Sequence, residues 1–235
     1  MAVILLFHAI SETVTDPPLQ VTPSSINRHL EWLGRLGYET APLSVVLGES
    51  SRRIAAVTFD DGLSSIDPTV RHLLARGIEP TVFVCPGLVG EENVWASPGR
   101  LRERLLDLGE LKRLSDLGAS FGVHGWDHQA FAGRVPAEIA SDLARCRNWF
   151  ADSLQIRPEV FAWPFGRYDE AALARVGLAY RHALGVEPDW GEEIRDLTIP
   201  RVVGDACSTF VQFADEVELK AFRLEDGLRP LDEMG

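Results

Sequence analysis

Along this chain, short runs of consecutive apolar residues alternate with longer stretches whose apolar positions fall three or four apart. The first kind predicts buried strands and the second amphipathic helices. Residues 2–7 are a continuous apolar run that stops at His8, and they predict a first strand. Thr22-Pro23 supplies an N-cap followed by proline at the first helical position, and Ile26, Leu30 and Leu33 then repeat at helical spacing until Gly37. Residues 38–47 predict a weak strand and turn. Ile54-Ala55-Ala56-Val57 runs into Thr58-Phe59-Asp60-Asp61-Gly62, a strand that delivers two carboxylates and a glycine to its C-terminal end.

The same rhythm continues. Asp67-Pro68 opens a helix with Val70, Leu73 and Leu74 inward and Gly77 as its stop. Thr81-Val82-Phe83-Val84 is rich in β-branched and aromatic residues and breaks at Pro86-Gly87. Residues 91–99 are polar with glycine and proline and predict a loop. Residues 101–117 predict a helix stopped by Gly118, and residues 119–123 a strand ending on His124. After Pro136, the positions Ile139, Leu143, Cys146 and Phe150 mark one face of a longer helix. Residues 160–163 predict a strand ending on Pro164, residues 171–176 a short helix, and residues 178–184 another strand. Ile199 with Arg201-Val202-Val203 is the last strand expected, and the charged segment from Asp215 onward carries no readable pattern.

Helices alternating with strands at this spacing imply a parallel α/β sheet of roughly seven βα units. No linker or composition break divides them, so a single domain spanning 1–235 is expected, with the segment from about 215 indistinct. Closure into a barrel is favoured over an open sheet because no glycine-rich phosphate loop follows the first strand. Asp60-Asp61, His124 and Pro164-Phe165-Gly166 each fall just past a strand, and in a βα barrel those ends share the face that carries chemistry.

Composition narrows the function classes. The chain has 235 residues, 46% of them hydrophobic and 25% charged, and a formal net charge of -12. Such a balance argues against a nucleic-acid or anionic-membrane surface and favours small neutral or cationic partners. No run reaches transmembrane length, so membrane insertion is not expected. The initial apolar run is too short for a secretory leader and lacks basic residues, which points to a cytoplasmic product. Cys85, Cys146 and Cys207 are widely spaced and odd in number, and they read as buried thiols rather than a disulfide or metal framework.

Two stretches carry chemistry. Side-by-side buried carboxylates at Asp60 and Asp61 need a positive partner; a solvated Asp-Gly turn is the alternative. His124 and His128 stand four positions apart in His124-Gly125-Trp126-Asp127-His128, a spacing that lets two imidazoles meet one ion. An ordinary pair of turn histidines remains open at this point. With one carboxylate added, the set becomes two His and one Asp, which leaves positions for water and substrate. A divalent ion would also offset the charge of one member of the acid pair.

These stretches resemble the NodB-type polysaccharide deacetylases, carbohydrate esterase family four. Thr58-Phe59-Asp60-Asp61-Gly62 matches the T-F-D-D-G motif, and His124 and His128 match the histidines of H-S/T-x-x-H. Residues 161–168, from Phe161 to Tyr168, are similar to a third-motif variant, F-A-Y-P-Y-G-x-Y. Leu197-Thr198-Ile199-Pro200-Arg201-Val202 is similar to an L-P-R-I segment, and Leu5-Leu6-Phe7-His8 to the M-Y-H opening of the branch containing the poly-N-acetylglucosamine deacetylases. The resemblance implies a distorted (β/α)7 barrel that hydrolyses an N-acetyl or O-acetyl group. It makes Asp61, His124 and His128 ligands of a divalent metal, zinc foremost with cobalt or nickel as alternatives. Asp60 becomes the general base on the attacking water, and the backbone N–H of Phe165 part of the oxyanion site. Both acids can reach one site only if the chain turns at Asp61, which Gly62 permits.

Departures from the motifs set further expectations. Gly125 replaces the second-motif hydroxyl residue, and Ala162 stands where an R-x-P arginine is usual, so Arg201, with Arg167 as the second choice, is expected to orient Asp60. No histidine follows His182, so His8 is expected to be the acid that protonates the leaving nitrogen. Asp189-Trp190 is similar to part of a fourth motif, and Trp126, Trp163 and Trp190 are candidate walls of an acetylated-sugar site. The leading expectation is a metal-dependent N-deacetylase of an acetylated amino sugar or glycoconjugate. A non-sugar amidohydrolase and an inactive carbohydrate-binding barrel are the rivals.

Overall fold

Each apolar run of the sequence becomes a strand of one parallel sheet in the computed structural model, which describes residues 1–16, 19–48, 52–96, 100, 102–186 and 196–222. The elements in order are β1 (Ala2–Phe7), β2 (Ala9–Ile10), β3 (Gln20–Val21), α1 (Pro23–Arg35), β4 (Glu39–Thr40), α2 (Leu43–Val46), β5 (Ile54–Phe59), α3 (Asp67–Ala75), β6 (Thr81–Val84), α4 (Leu108–Asp116), β7 (Ser120–Val123), α5 (Pro136–Ser153), β8 (Val160–Ala162), α6 (Glu170–Gly177), β9 (His182–Leu184), β10 (Val202–Val203) and α7 (Phe210–Lys220). The main sheet runs β10-β1-β5-β6-β7-β8-β9, with β4 alongside the start of β5. All its ladders are parallel, and β1 pairs with β5 in register from Ala2 against Ile54 to Phe7 against Phe59.

The sheet is curled, and one segment joins its two edges. Ile199 bridges to Leu184 in β9, while Val202 and Val203 pair with Leu5 and Leu6 in β1. The result is a distorted barrel of seven strands, as the rhythm of the sequence implies. Strand parity then separates two cores. Val3, Leu5, Val57, Val82, Phe121 and Phe161 face the helices. Ile4, Ala56, Phe83, Ala162 and Leu184 fill the barrel, and α2 plugs its N-terminal end with Leu43, Val46 and Leu47. Phe83 occupies space left by Gly122 across the β6–β7 ladder, where any Cβ would overlap the phenyl ring.

Local chemistry explains where helices begin. The Thr22 side chain accepts the Ser25 N–H and Pro23 takes the first position of α1. The helix expected over 101–117 begins only at Leu108. Asp107 and Glu110 form a capping box there, and Leu105 and Leu106 are buried in the preceding extended segment. The turn expected over 38–47 contains the short helix α2, because Leu43, Val46 and Leu47 have the barrel mouth to bury against. The strand expected over 178–184 is confined to β9. Of the charged segment from Asp215 onward, residues 215–220 belong to α7, beyond which Phe222 is buried and exchanges two backbone hydrogen bonds with Ala2. All three cysteines are free and buried. Among the described residues no helix is long and apolar enough to cross a membrane.

Candidate active site

The C-terminal ends of β1, β5, β7 and β8 bring His8, Asp60, Asp61, His124, His128 and Phe165 to one end of the barrel. Regular strand geometry would send Asp60 and Asp61 to opposite faces. The chain instead leaves β5 at Asp61 with φ of 70°, and Gly62 follows at 70°. His128 and Phe165 also have positive φ, 59° and 58°. A left-handed backbone costs roughly 1–2 kcal/mol at a residue with a side chain. Three such residues lie within this site, which marks it as a place where local strain is held by the surrounding fold.

Asp61, His124 and His128 converge. The Asp61 Oδ1 lies 3.3 Å from His124 Nε2 and 3.1 Å from His128 Nε2. One donor atom from each residue falls within 4.8 Å of the others, and all three residues are buried. The Nδ1–H of His124 donates to the Ala162 carbonyl at 2.9 Å, which turns Nε2 toward Asp61. Asp61 Oδ1 is fully enclosed and has no hydrogen-bond partner among the described residues. Burial pulls His128 below the usual imidazole range despite Asp61. Burial also pushes against the Asp61 anion, but His128 and His124 hold its carboxyl well below the ordinary value. Two imidazole nitrogens and one carboxylate oxygen aimed at a common point fit a divalent cation with positions left open.

Asp60 is held apart from that set. Arg201, fully buried, donates from both terminal nitrogens to the two Asp60 oxygens at 2.7 Å each, and its Nε donates to the Gly185 carbonyl at 3.0 Å. Burial opposes the Asp60 anion, yet Arg201 and His124 outweigh it and keep the carboxyl below its usual value. Arg167 lies over the Phe165 ring instead, 6.0 Å from its centroid.

His8 Nδ1 is 2.7 Å from Asp205 Oδ2, in the turn just after β10. Burial lowers the affinity of His8 for its proton, but Asp205 together with Asp61 and Asp60 raises its pKa to about 9. Burial pushes Asp205 itself up to about 6 against the pull of His8. A cavity of about 190 Å³ beside the pair is lined by His8, Asp61, Asn93, Trp95, Arg100 and Phe165, among others.

Trp95 stacks on His128 with centroids 4.0 Å apart, and Phe165 meets the same ring edge-on at 4.5 Å. The aromatic walls differ from those expected. Trp163 is buried in the outer core and donates its Nε1–H to the Leu197 carbonyl. Trp126 lies under Arg145 at 4.0 Å, away from the cavity. Asp189-Trp190 lies outside the described residues. Trp95 and Arg100 come from the polar stretch 91–99 and just beyond it, which carries no periodic signal. Residues 92–96 and 102–105 are folded back by the Glu92–Arg104 and Leu63–Leu105 bridges, and Arg100 pairs with Asp16 at 3.0 Å. Asp205 did carry a positional signal, since it lies just past the last expected strand.

The loop bearing the histidines lacks a hydroxyl at Gly125, and Asp142 of α5 supports it instead. Its Oδ1 accepts the Trp126 N–H at 2.9 Å, while Oδ2 accepts from Arg134 at 3.0 Å. Gly125 itself has φ of 73° and packs against Phe131 and Pro164.

A parallel barrel with an acid-and-imidazole cluster at its strand ends defines a class of metal-ligating hydrolase folds. The chain belongs to the polysaccharide deacetylase family, whose sequence model matches residues 48–181. That span holds Asp60, Asp61, His124, His128 and Phe165, while His8, Arg201 and Asp205 lie outside it. Chitin deacetylase 1 of Cryptococcus neoformans var. grubii is 24% identical over an alignment of 202 positions, and the match covers 71% of this chain and 40% of that relative's length. Among solved structures, IcaB from Ammonifex degensii superposes with a TM-score of 0.75 at 16% identity, covering 94% of this chain and 97% of that one. The Streptococcus pyogenes deacetylase PplD, solved in complex with acetate, gives 0.70 at 18% identity with 93% and 97% covered. These likenesses show the same barrel fold.

Proposed function

We propose that this protein hydrolyses the N-acetyl group of an acetylated amino sugar, free or within a glycoconjugate. The observation that carries this reading is the division of labour between two adjacent carboxylates. Asp61 is turned toward His124 and His128, and Asp60 is held beside them by the Arg201 fork. Asp61, His124 and His128 would hold the divalent cation, with zinc the best match to two imidazoles and one carboxylate. Bound there, the ion supplies Lewis acidity that polarises the amide carbonyl and makes water a better nucleophile near neutral pH.

The chain's own residues do the rest. Asp60, ionised and fixed in plane by Arg201, takes the proton of the attacking water. The backbone N–H at Phe165 is the donor for the oxygen that gains charge as the carbonyl carbon becomes tetrahedral. His8, charged by its pairing with Asp205, gives its proton to the leaving nitrogen, which departs as the free amine with acetate as the other product. Trp95 shields His128 from bulk water and presents an apolar edge to the cavity.

The test is acetate release from N-acetylglucosamine and its short oligomers by protein loaded with zinc, against the same protein after chelation. Release that stops on chelation and returns with zinc supports the reading. Asp60→Asn should retain the metal and lose nearly all turnover. Acetate formation at the wild-type rate in that variant removes Asp60 from the chemistry. Failure of the zinc-loaded wild type on every N-acetylated sugar, with turnover of a simple acyl amine, moves the substrate to the non-sugar amides.

A further inference from the structure

The opposite end of the barrel holds a larger cavity, about 370 Å³, that the deacetylase chemistry does not use. It opens at the first residues of β6, β7, β8 and β9. Parity points Thr81, Ser120 and His182 into the barrel, because Phe83 and Leu184, two positions on in their strands, belong to the interior core. An inward layer of a small parallel barrel is ordinarily filled with branched apolar side chains. Here it is polar and incompletely satisfied. Thr81 is 2% exposed and His182 4%, yet Thr81 Oγ1 and His182 Nδ1 have no hydrogen-bond partner among the described residues. Ser120 Oγ donates to Glu79 and retains its capacity to accept. Burial holds His182 below the usual imidazole range against the pull of Asp196.

The remaining walls differ in character. Leu43 and Leu47 on one side and Ile156 on the other give an apolar middle, and Arg157 and Arg181 stand at the rim with Glu159. Two exposed guanidinium groups at one mouth stand out in a chain of formal net charge -12. We propose that this N-terminal mouth is a second binding site for a small organic monoanion, with its carboxylate at Arg157 and Arg181 and an apolar body against Leu43, Leu47 and Ile156. The site lies at the opposite strand ends from Asp60 and Asp61 and does not depend on the reaction assigned to them.

4-Hydroxybenzoate is a suitable probe, followed through the imidazole resonances of His182 in zinc-loaded protein with ¹⁵N-labelled histidine. The expected result is a saturable His182 shift with a Kd on the order of 1 mM or tighter. Arg181→Gln, at an exposed position that leaves the barrel intact, should weaken binding about tenfold, as should replacing the probe by neutral 4-hydroxybenzamide. No saturable shift, or equal affinity for the acid and the amide with Arg181→Gln unchanged, overturns the proposal.

Discussion

Replacing Arg201 by methionine separates charge from shape at the base. The side chain is fully buried and spends two 2.7 Å bonds on Asp60. Arg201→Met keeps most of the stem and removes both donors and the charge. Breaking a buried pair from one side costs roughly 3–5 kcal/mol, because the remaining ion is left in a poor solvent. Taking about 3 kcal/mol as the part felt at the base, kcat at neutral pH should fall roughly 100-fold. Burial already pushes against the Asp60 anion, and Arg201 is the largest force opposing it. Without Arg201 the carboxyl holds its proton to higher pH, so the acid limb of kcat/KM moves upward. Arg201→Lys keeps the charge but not the planar fork. Its acid limb should stay nearer wild type while kcat still falls. The assay is acetate release across pH for the three proteins, with metal content and Tm measured on the same samples. A folded, metal-loaded Arg201→Met enzyme with the wild-type acid limb and a rate within about threefold of wild type would refute the positioning argument.

Four further outcomes follow from other contacts. His8→Ala should keep its metal and lose on the order of 100-fold or more in kcat on an amide, but much less on an O-acetyl ester, whose alkoxide leaves more readily than an amine. Because His8 is raised to about 9 by Asp205, wild-type amide turnover should decline as pH rises through that value, and Asp205→Asn should bring the decline to lower pH; an unmoved basic limb would dissociate Asp205 from the acid. Asp142→Leu removes the acceptor of the Trp126 N–H between the two histidines and should weaken zinc retention in equilibrium dialysis, with Asp142→Asn intermediate; unchanged affinity in a folded Asp142→Leu protein would show that the loop holds itself. Phe165→Gly relaxes a positive-φ residue and keeps the backbone donor, so kcat should remain within about tenfold of wild type; a loss on the order of 100-fold or more would assign the role to the ring.

The strand-and-helix rhythm made most of the barrel legible, because buried parallel strands are continuous apolar runs and the covering helices keep one apolar face. Strand-end polar residues pointed to Asp60, Asp61 and His124, since topology alone brings those ends together. What could not be read depends on contacts far apart in sequence. The Asp142 support of Trp126 depends on how α5 packs across the histidine loop. Trp95 reaches His128 because an aperiodic stretch folds back through two isolated bridges. Trp163 looked like a wall because it ends a strand, yet a single residue of parity placed it in the outer core. The late start of α4 was decided by a capping box in competition with an apolar run that had another surface to bury against.

The fit of Phe83 into the place left by Gly122 has a consequence for the lineage of this chain. Neither position can drift alone: a side chain at 122 overlaps the ring, and a smaller residue at 83 leaves a void in the middle of the barrel. Phe83 also lies beneath Arg201, whose guanidinium carbon is 5.6 Å from the ring centroid. Positions 83, 122 and 201 should therefore be inherited as a linked trio. Descendants that carry a larger residue at 122 should have exchanged phenylalanine for a smaller one and found another way to support the arginine.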